Sequence, residues 1–575
     1  MKRLFEFLLL NIAVATFYSC NIDEEITVGL PPKIILDSET GIYTVKQGRE
    51  ITISPTYEPA EKTATYSWTM NGEVIGTSPS LSFIQNTTGE YYIAISVSNE
   101  NGTNREEIRI DVVELEIPTV SINSNKTLTT VIGEKLLFNA SIRQTSLHTT
   151  CVWSINNEKA GEGESFNFIA EESGFYTIVA TANNEDGSHS DTIFIEVLDI
   201  ENAPLIWDFE QTEFHTTVGR RLLITPTVTI KKAEIEYTWS IIGKEETICT
   251  EPEFVFTGER EGVYKIHATA SEKEGYNASK QSHTFTITVY PEDKFHRESN
   301  SNSSKGFNKV YEYTPAPGQF INDLKTSGFN GTQTTAESAC KYAEERLLDN
   351  NWISLGGFGG YVIVGFDHSI TNNKEYDIAI ACNAFDNSSE PAIVWVMQDE
   401  NGDGKPNDTW YELAGSETEK EGTIRGYKVT YYRPTGAGMP VQWQDNRGEI
   451  GTVDYQPQFH SQDYYYPIWI ETESYTLKGT RLKARNYDKS GNGSYWVNPN
   501  YDWGYADNYS SIDFIKGEML NLFDIDNAID YEGKRIKLNS IDFVKVQSAI
   551  NAKSGWLGEI STEVCGFYDY NLKSK

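Results

Sequence analysis

An internal repeat in the first half of the chain constrains the fold more than any other feature. Its period is roughly 85 residues, long enough for one small domain per copy. In each copy a Trp, at positions 68, 153 and 239, ends a segment of alternating polarity, and a Gly-x-Tyr triplet opens another. A buried Trp facing a strand that starts with Tyr is typical of β-sandwiches. The repeat therefore predicts three tandem sandwiches with these Trp and Tyr side chains in their cores.

The repeated pattern resembles PKD-type, immunoglobulin-like modules of bacterial surface proteins. We place module 1 at residues 29–115, module 2 at 116–199 and module 3 at 200–291. A polar, Ser/Asn-rich linker follows at 292–305. A row of such modules is expected to act as a spacer for the rest of the chain. The alternative is that one module binds a ligand itself.

Residues 306–575 lack the repeat and form a larger C-terminal domain. Short segments rich in β-branched and aromatic residues alternate there with loops rich in Gly, Asn and Asp, which predicts strands. One helix is predicted at Ala336–Leu348, with Thr334 or Thr335 as its cap. The predicted fold class is all-β: three tandem PKD/Ig-like β-sandwiches followed by a larger β-sandwich or jelly-roll domain with one helix.

The N-terminus predicts the compartment. Two basic residues precede an apolar stretch, Leu4–Phe17, that is too short to span a membrane, and Cys20 and an acidic run follow. This arrangement resembles the lipoprotein signals of Bacteroidetes, in which Cys20 would become the lipidated first residue. The resemblance implies a signal peptide at 1–19, a tether at 20–28 and a lipid-anchored protein exposed on the outer membrane. The alternative is an ordinary secretory signal with a free cysteine.

The charge balance argues against two classes of partner, and the cysteine content argues against a disulfide framework. Acidic residues outnumber basic ones by 83 to 48, which argues against binding nucleic acid or an anionic membrane surface. No later segment is apolar enough to span a membrane, so the lipid is the only membrane attachment that we infer. The remaining cysteines are odd in number and scattered, so no disulfide framework is indicated.

An acidic loop at 396–412 predicts a cation site. Acidic and amide side chains alternate along it, and Gly404 permits the sharp turn that would bring their oxygens together. The loop resembles the first half of an EF-hand-type loop, although Trp410 stands where the final glutamate is usual. The alternative is a solvated Asn/Asp/Gly turn. We predict a structural Ca²⁺ held by Asp399, Asn401, Asp403, Lys405 and Asp408.

Aromatic loops in the C-terminal domain predict a ligand site. Rings beside Asp and Asn offer a face for stacking and edges for hydrogen bonds, as a flat polar ligand requires. The alternative is that the rings plug the ends of the sandwich. The predicted contacts are Phe358, Asn383, Phe385, Trp496, Trp503, Tyr505 and Asp507.

Support for catalysis is weak, and we predict that the chain is not an enzyme. It contains neither HExxH nor GxSxG, and His368 is interpreted as a turn residue. A glycosidase needs a pair of carboxylates, and no signature selects two among the candidates Glu412, Glu417, Asp507 and Glu563.

Four segments resemble the C-terminal domain of PKD-bearing surface lipoproteins of Bacteroides. They are GGYVIVGFDHSI (359–370), the block 375–417, WGYADN (503–508) and IDFVKVQSA (541–549). Members of this group accompany TonB-dependent corrinoid uptake, and some resemble vitamin B12-binding proteins. The resemblance implies a surface receptor that captures a corrinoid and passes it to an outer-membrane transporter. A glycan-binding surface lipoprotein is the alternative, and a glycoside hydrolase is the third.

Overall fold

A computed structural model describes residues 29–58, 63–143, 147–200, 204–229, 234–244, 246–273, 279–373 and 375–573. The chain divides into two compact units, one ending at Glu116 and the other beginning at Ile117. The predicted signal peptide, the tether up to residue 28 and Cys20 lie outside the described residues. No helix among the described residues has the length and apolar character needed to cross a bilayer.

Module 1 forms the first unit. A five-stranded sheet in the order β2-β9-β8-β5-β6 packs with the two-stranded pairs β1-β4 and β3-β7. Its strands are β1 (Lys33–Ile35), β2 (Ile42–Lys46), β3 (Glu50–Ile53), β4 (Thr56–Glu58), β5 (Thr65–Met70), β6 (Glu73–Gly76), β7 (Leu81–Ile84), β8 (Gly89–Asn99) and β9 (Gly102–Val113).

Module 2 repeats this plan at the start of the second unit. The five-stranded sheet has the order β11-β17-β16-β13-β14 and the smaller one β10-β12-β15. Its strands are β10 (Thr119–Ile122), β11 (Thr127–Val131), β12 (Lys135–Arg143), β13 (Thr150–Ile155), β14 (Glu158–Glu162), β15 (Ser165–Ile169), β16 (Gly174–Asn184) and β17 (Gly187–Leu198).

Module 3 has the same five-stranded sheet, in the order β19-β26-β25-β22-β23, with the pairs β18-β21 and β20-β24. Its strands are β18 (Trp207–Asp208), β19 (Glu213–Thr217), β20 (Arg221–Ile224), β21 (Val228–Thr229), β22 (Ile235–Ile241), β23 (Thr247–Cys249), β24 (Phe254–Thr257), β25 (Gly262–Glu272) and β26 (Lys280–Tyr290).

The repeated Trp and Tyr have the same structural role in every module. Trp68, Trp153 and Trp239 are fully buried, and each indole N–H donates to a backbone carbonyl at 2.8–2.9 Å. Each repeated Tyr packs against the core while its hydroxyl donates to the carbonyl four residues earlier. A buried indole or phenol needs such a partner. The predicted tandem sandwiches and their aromatic cores are confirmed.

The C-terminal domain is a larger sandwich with an added sheet. Its strands and helices are β27 (Lys309–Thr314), α1 (Ala336–Leu348), β28 (Ile353–Ser354), β29 (Tyr361–Thr371), β30 (Ile378–Cys382), β31 (Ala392–Met397), β32 (Trp410–Leu413), β33 (Ile424–Tyr432), β34 (Val441–Asp445), β35 (Ile450–Val453), β36 (Ser474–Arg481), β37 (Tyr487–Asp488), β38 (Trp496–Val497), β39 (Phe514–Ile515), β40 (Leu520–Phe523), β41 (Ala528–Ile529), β42 (Ser540–Ser548), β43 (Glu563–Asp569) and α2 (Tyr570–Lys573). Two short 3₁₀ helices lie at Ile525–Asn527 and Gly555–Leu557.

Two sheets enclose the main core of this domain. One has the order β27-β29-β42-β31-β32-β41 and the other β28-β43-β30-β40-β39. Their facing sides bury apolar residues such as Val394, Val544 and Phe567. A third sheet, β35-β34-β33-β36, has its own core. The helix α1 begins as predicted, since Thr335 caps it in a capping box with Ser338.

Modules 2 and 3 do not stand apart from the C-terminal domain. Thr435 donates to the carbonyl of Val120 in module 2 at 2.7 Å, and Arg220 of module 3 forms a buried ion pair with Glu400. Modules 2 and 3 are therefore not a stalk separate from the C-terminal domain, because both pack on it. The expected role of the modules as a spacer from the membrane stays a prediction.

The segment 292–305 is also docked, although its polar composition predicted a linker. The guanidinium of Arg297 bonds to Asp542 at 2.8 Å and to the carbonyl of Phe366 at 3.0 Å. Phe295 lies so close to Gly402 that a side chain there would collide with its ring. Polar residues here serve an interface, which composition alone does not distinguish from a solvated linker.

Candidate functional site

A cleft beside Trp503 is the strongest candidate ligand site in the C-terminal domain. It has a volume of about 570 Å³ and opens where β32 of one sheet lies near β40 of the other. Loops after the strands supply the rest of the wall. The lining residues are Glu375, Tyr376, Leu413, Ala414, Trp503, Gly504, Ile512, Asp513, Leu522, Phe523, Asp524 and Asn527. We call this the Trp503 cleft.

The Trp503 cleft combines an apolar wall with acidic groups. Trp503 and Tyr376 are half-buried, and Ile512 is 60% exposed. Asp513 accepts the N–H of Gly504 at 2.6 Å through Oδ2, and its Oδ1 has no hydrogen-bond partner among the described residues. Burial raises the pKa of Asp513. Such a cleft suits an uncharged ligand with one apolar face and hydrogen-bond donors at its edge.

Of the residues predicted to contact a ligand, only Trp503 lines this cleft. Phe385 is 63% exposed on another loop, with Asn383 exposed close by. Trp496 is half-buried and packs against Gly555, since a Cβ built on that glycine would lie only 2.1 Å from the indole Nε1. The structure thus separates residues that the sequence grouped into one site. The sequence did not predict that Tyr376 and Ile512 line the cleft, because neither residue lies in a recognisable motif.

Ligand contact is wrong for Phe358 and Tyr505, because both side chains are only 1% exposed. The ring of Phe358 packs edge-on against Tyr427, with centroids 4.9 Å apart. The hydroxyl of Tyr505 accepts the N–H of Glu417 at 2.9 Å. For these two rings the alternative holds: they fill the interior of the domain.

Asp507 is also buried, at 1% exposure, and does not face the Trp503 cleft as a surface contact. Its carboxylate lies in a cluster with those of Glu390 and Glu563, with the three ligand oxygens all within 4.8 Å of one another. Burial, and then the charge of Glu563, raise the pKa of Asp507 well above its usual range. Glu390 was not predicted from sequence, where only its place directly before Pro391 and a buried strand sets it apart.

In the predicted calcium loop the acidic side chains bond to the loop's own backbone. Asp399 accepts N–H groups from Gly402 at 2.8 Å and from Gly404 at 3.0 Å. Asn401 accepts the N–H of Asp403 at 2.8 Å. Asp403 in turn accepts the N–H of Lys405 at 2.9 Å. These contacts fold the loop into successive Asx turns. They neither require nor exclude a bound cation, so the calcium site remains a prediction.

Asp408 differs from these residues because only one of its two carboxylate oxygens has a hydrogen-bond partner among the described residues. Its Oδ2 accepts the N–H of Glu400 at 2.7 Å, while Oδ1 is buried without a hydrogen-bond partner among the described residues. Burial, and next the charge of Glu400, raise the pKa of Asp408 to about 8. The charge of Glu400 itself is matched by Arg220, which also bonds to Gln398 at 2.6 Å.

Two of the four carboxylates considered for glycoside hydrolysis, Glu412 and Glu417, are committed to other partners. Glu412 accepts from the Thr480 hydroxyl at 2.6 Å in the interior. Glu417 forms ion pairs with Lys420 at 2.8 Å and Arg485 at 2.7 Å. Burial opposes ionisation of Glu417, but these partners outweigh it and lower its pKa. A general acid needs a raised pKa, so Glu417 is unsuited to that role.

The prediction for His368 is wrong, because the residue lies within β29 and is 1% exposed. Its Nε2 is 2.9 Å from Asp569 and its Nδ1 is 2.6 Å from Asp367. The hydrogen bond with Asp569 is the main cause that raises the pKa of His368. Two carboxylates hold this ring in a structural role.

Comparison with known proteins identifies the first repeat. Residues 31–99 match a family model described as a PKD-like domain, which lies within module 1. An I-band fragment of titin is 14% identical and covers 46% of this chain and 99% of its own, with a TM-score of 0.22. The fibronectin(III)-like modules of Clostridium thermocellum CbhA are 16% identical and cover 30% and 97%, with a TM-score of 0.19. Such scores are too low for these structures to bear on function.

Proposed function

We propose that the C-terminal domain is a binding module that captures a corrinoid at the cell surface and passes it to a TonB-dependent outer-membrane transporter. The anchor would be a lipid on Cys20 in the outer membrane. The resemblance of residues 359–370 and 503–508 to surface lipoproteins that accompany corrinoid uptake supports the ligand class. PKD-like domains are common in extracellular proteins and are typically non-catalytic, which supports the location and a binding role.

The Trp503 cleft is the observation that carries this proposal. A corrinoid is a flat macrocycle whose rim bears amides. The half-buried ring of Trp503 offers an apolar surface, and the half-buried carboxylate of Asp524 belongs to the same wall, where amide N–H groups of a ligand could donate. The cleft is smaller than a whole corrinoid, so part of the ligand would stay exposed and reachable by a transporter.

A titration of the full chain with cyanocobalamin tests the proposal. The full chain is required because modules 2 and 3 pack on the domain. Burying an aromatic side chain is worth about 1.5–3 kcal/mol, so Trp503→Ala should weaken binding about 10- to 100-fold. The matched control is Trp556→Ala, which removes a 44% exposed indole outside the cleft and should leave affinity unchanged. Absence of binding by the wild type, or equal loss in both variants, would reject the cleft as a corrinoid site.

Glycan binding is the second candidate, and a different pair of rings favours it. Phe459 and Trp556 are 52% and 44% exposed, and their centroids lie 5.7 Å apart. Exposed neighbouring rings can stack on sugars. Retention of the wild type on a polysaccharide gel, lost in Trp556→Ala but kept in Trp503→Ala, would favour this function over corrinoid capture.

A further inference from the structure

Three acidic side chains that are far apart in sequence meet inside the C-terminal domain. Glu390 lies in the loop before β31, Asp507 in the loop between β38 and β39 that also holds Trp503, and Glu563 at the start of β43. We propose that Glu390, Asp507 and Glu563 bind a divalent cation, and that the cation is Ca²⁺.

The positions of these carboxylates are fixed by hydrogen bonds between their loops. The N–H of Glu390 donates to the carbonyl of Asp507 at 3.0 Å. The N–H of Glu563 donates to Oδ2 of Asp507 at 2.9 Å, and the Thr562 hydroxyl donates to the carbonyl of Glu390 at 2.7 Å. These bonds therefore hold the three carboxylates close together although their negative charges repel one another.

An unsatisfied oxygen within the cluster points to a missing ligand. Asp507 is 1% exposed, and its Oδ1 has no hydrogen-bond partner among the described residues. An acceptor in the interior without a partner is destabilising, and more so when it is charged. No described Lys, Arg or His forms an ion pair with Glu390, Asp507 or Glu563 within 4.0 Å. No described basic side chain therefore pairs with this oxygen.

The spacing and the chemistry of the cluster fit a hard cation. Ca²⁺ binds oxygen ligands at about 2.3–2.6 Å, so two ligands on opposite sides of it are about 4.6–5.2 Å apart. The three oxygens lie within 4.8 Å of one another. Oxygen ligands without His or Cys disfavour Zn²⁺. Glu390 as a residue is half-buried, whereas Asp507 and Glu563 are buried.

The alternative is that the carboxylates share protons. Burial and the other two acids raise the pKa of Glu390 well above its usual range. A protonated cluster would need no cation. The two cases predict opposite changes in melting temperature in Ca²⁺ when a carboxylate is replaced by an amide, which makes them separable.

The decisive experiment measures bound Ca²⁺ and thermal melting on the full chain, in EDTA and in millimolar Ca²⁺. Glu390→Gln should lose one bound Ca²⁺ relative to the wild type. Its melting temperature should lie above that of the wild type in EDTA, because one of three repelling charges is gone. In Ca²⁺ the order should reverse, because the variant lacks a ligand.

The matched control is Asp403→Asn, which alters the acidic loop at 399–408 and leaves the cluster intact. It should still bind one Ca²⁺, and failure to do so would overturn the proposal even if Glu390→Gln does not fold. Unchanged Ca²⁺ content in Glu390→Gln would also overturn it. A variant that melts above the wild type in both buffers would show that the carboxylates hold protons.

Discussion

Two groups of acids in the C-terminal domain, one a single carboxylate and the other a cluster of three, carry a similar electrostatic cost and offset it differently. Glu400, whose side chain is 1% exposed, pairs with Arg220 from module 3. Glu390, Asp507 and Glu563 lie within reach of one another and form no ion pair with a described basic side chain. Removing a carboxylate from water costs several kcal/mol unless a counter-charge replaces the solvent. The first group has its counter-charge within the chain, and the second requires protons or a cation.

The comparison shows that acid density in the sequence is a poor guide to where a cation is needed. The loop at 399–408 has the richer acidic pattern, yet Asp399 and Asp403 bond to backbone N–H groups of that loop. Glu390 has no acidic neighbour that marks it. What decides the need for a cation is how many N–H groups and basic side chains reach the oxygens once the chain has folded.

Removing the counter-charge from the first group should give the largest effect. Arg220→Met leaves Glu400 buried and unpaired, and breaking a buried pair in this way costs about 3–5 kcal/mol of unfolding free energy. Urea-induced unfolding of the full chain, followed by tryptophan fluorescence, measures the loss. The control is the double variant Arg220→Met/Glu400→Gln, which removes the orphaned charge and should recover most of the stability. Equal destabilisation in the single and double variants would mean that the pair does not neutralise Glu400.

A half-buried base gives the next largest effect. The ammonium of Lys545 lies 4.7 Å from the ring centroid of Trp395 and 5.0 Å from that of Trp410. Burial lowers its pKa from 10.5 to about 8. Below pH 8 the folded chain must bury a charge, whereas between about pH 8 and 10.5 the unfolded chain binds the additional proton. The wild type should therefore gain stability as pH rises through this window.

Lys545→Met should raise the free energy of unfolding at pH 7 by about 1–3 kcal/mol, because a shift of this size corresponds to at most about 3 kcal/mol and the lost cation–π contacts offset part of it. The advantage should shrink toward pH 10. Lys341→Met, at an exposed helix position, is the control and should show no such trend. A difference between Lys545→Met and the wild type that stays constant with pH would show that Lys545 is not desolvated.

The repeats and their cores could be predicted from sequence because their signal is local. Trp153 and Tyr176 recur at fixed spacing, and alternation along β15 and β16 shows which faces are buried. The helix α1 was predictable for the same reason, since Thr335 and its apolar period lie within a few residues of each other. Local periodicity is what single-sequence reasoning detects.

The candidate sites could be predicted only in part, because burial in a loop depends on what packs over it. Phe358 follows two glycines and Trp503 follows a stretch with Asn498, Asn500 and Asp502, yet one ring is covered by Tyr427 and the other lines an open cleft. Tyr427 lies on β33 and covers Phe358 within the core of the third sheet, whereas the walls of the cleft come from β32 and β40, so both outcomes depend on residues distant in sequence. Glu390 and Asp507 likewise meet beside the pairing of Ala392 with Ala506, and Glu563 meets them through its hydrogen bond to Asp507.

The smallest effect concerns the predicted calcium loop. Asp403→Ala removes an exposed carboxylate that accepts from Lys405 and Asn407. If the loop holds Ca²⁺ as predicted, the absent twelfth-position glutamate implies weak affinity, comparable to extracellular modules with Kd of about 10⁻⁴–10⁻³ M. In millimolar Ca²⁺ binding would then contribute about 1 kcal/mol. The variant should melt below the wild type in Ca²⁺ and close to it in EDTA.

Asn407→Ala, which loses the same side-chain bond but no predicted ligand, should show no Ca²⁺ dependence beyond that of the wild type. An identical change for Asp403→Ala in both buffers would make the loop a plain turn and leave the distant cluster as the domain's candidate cation site.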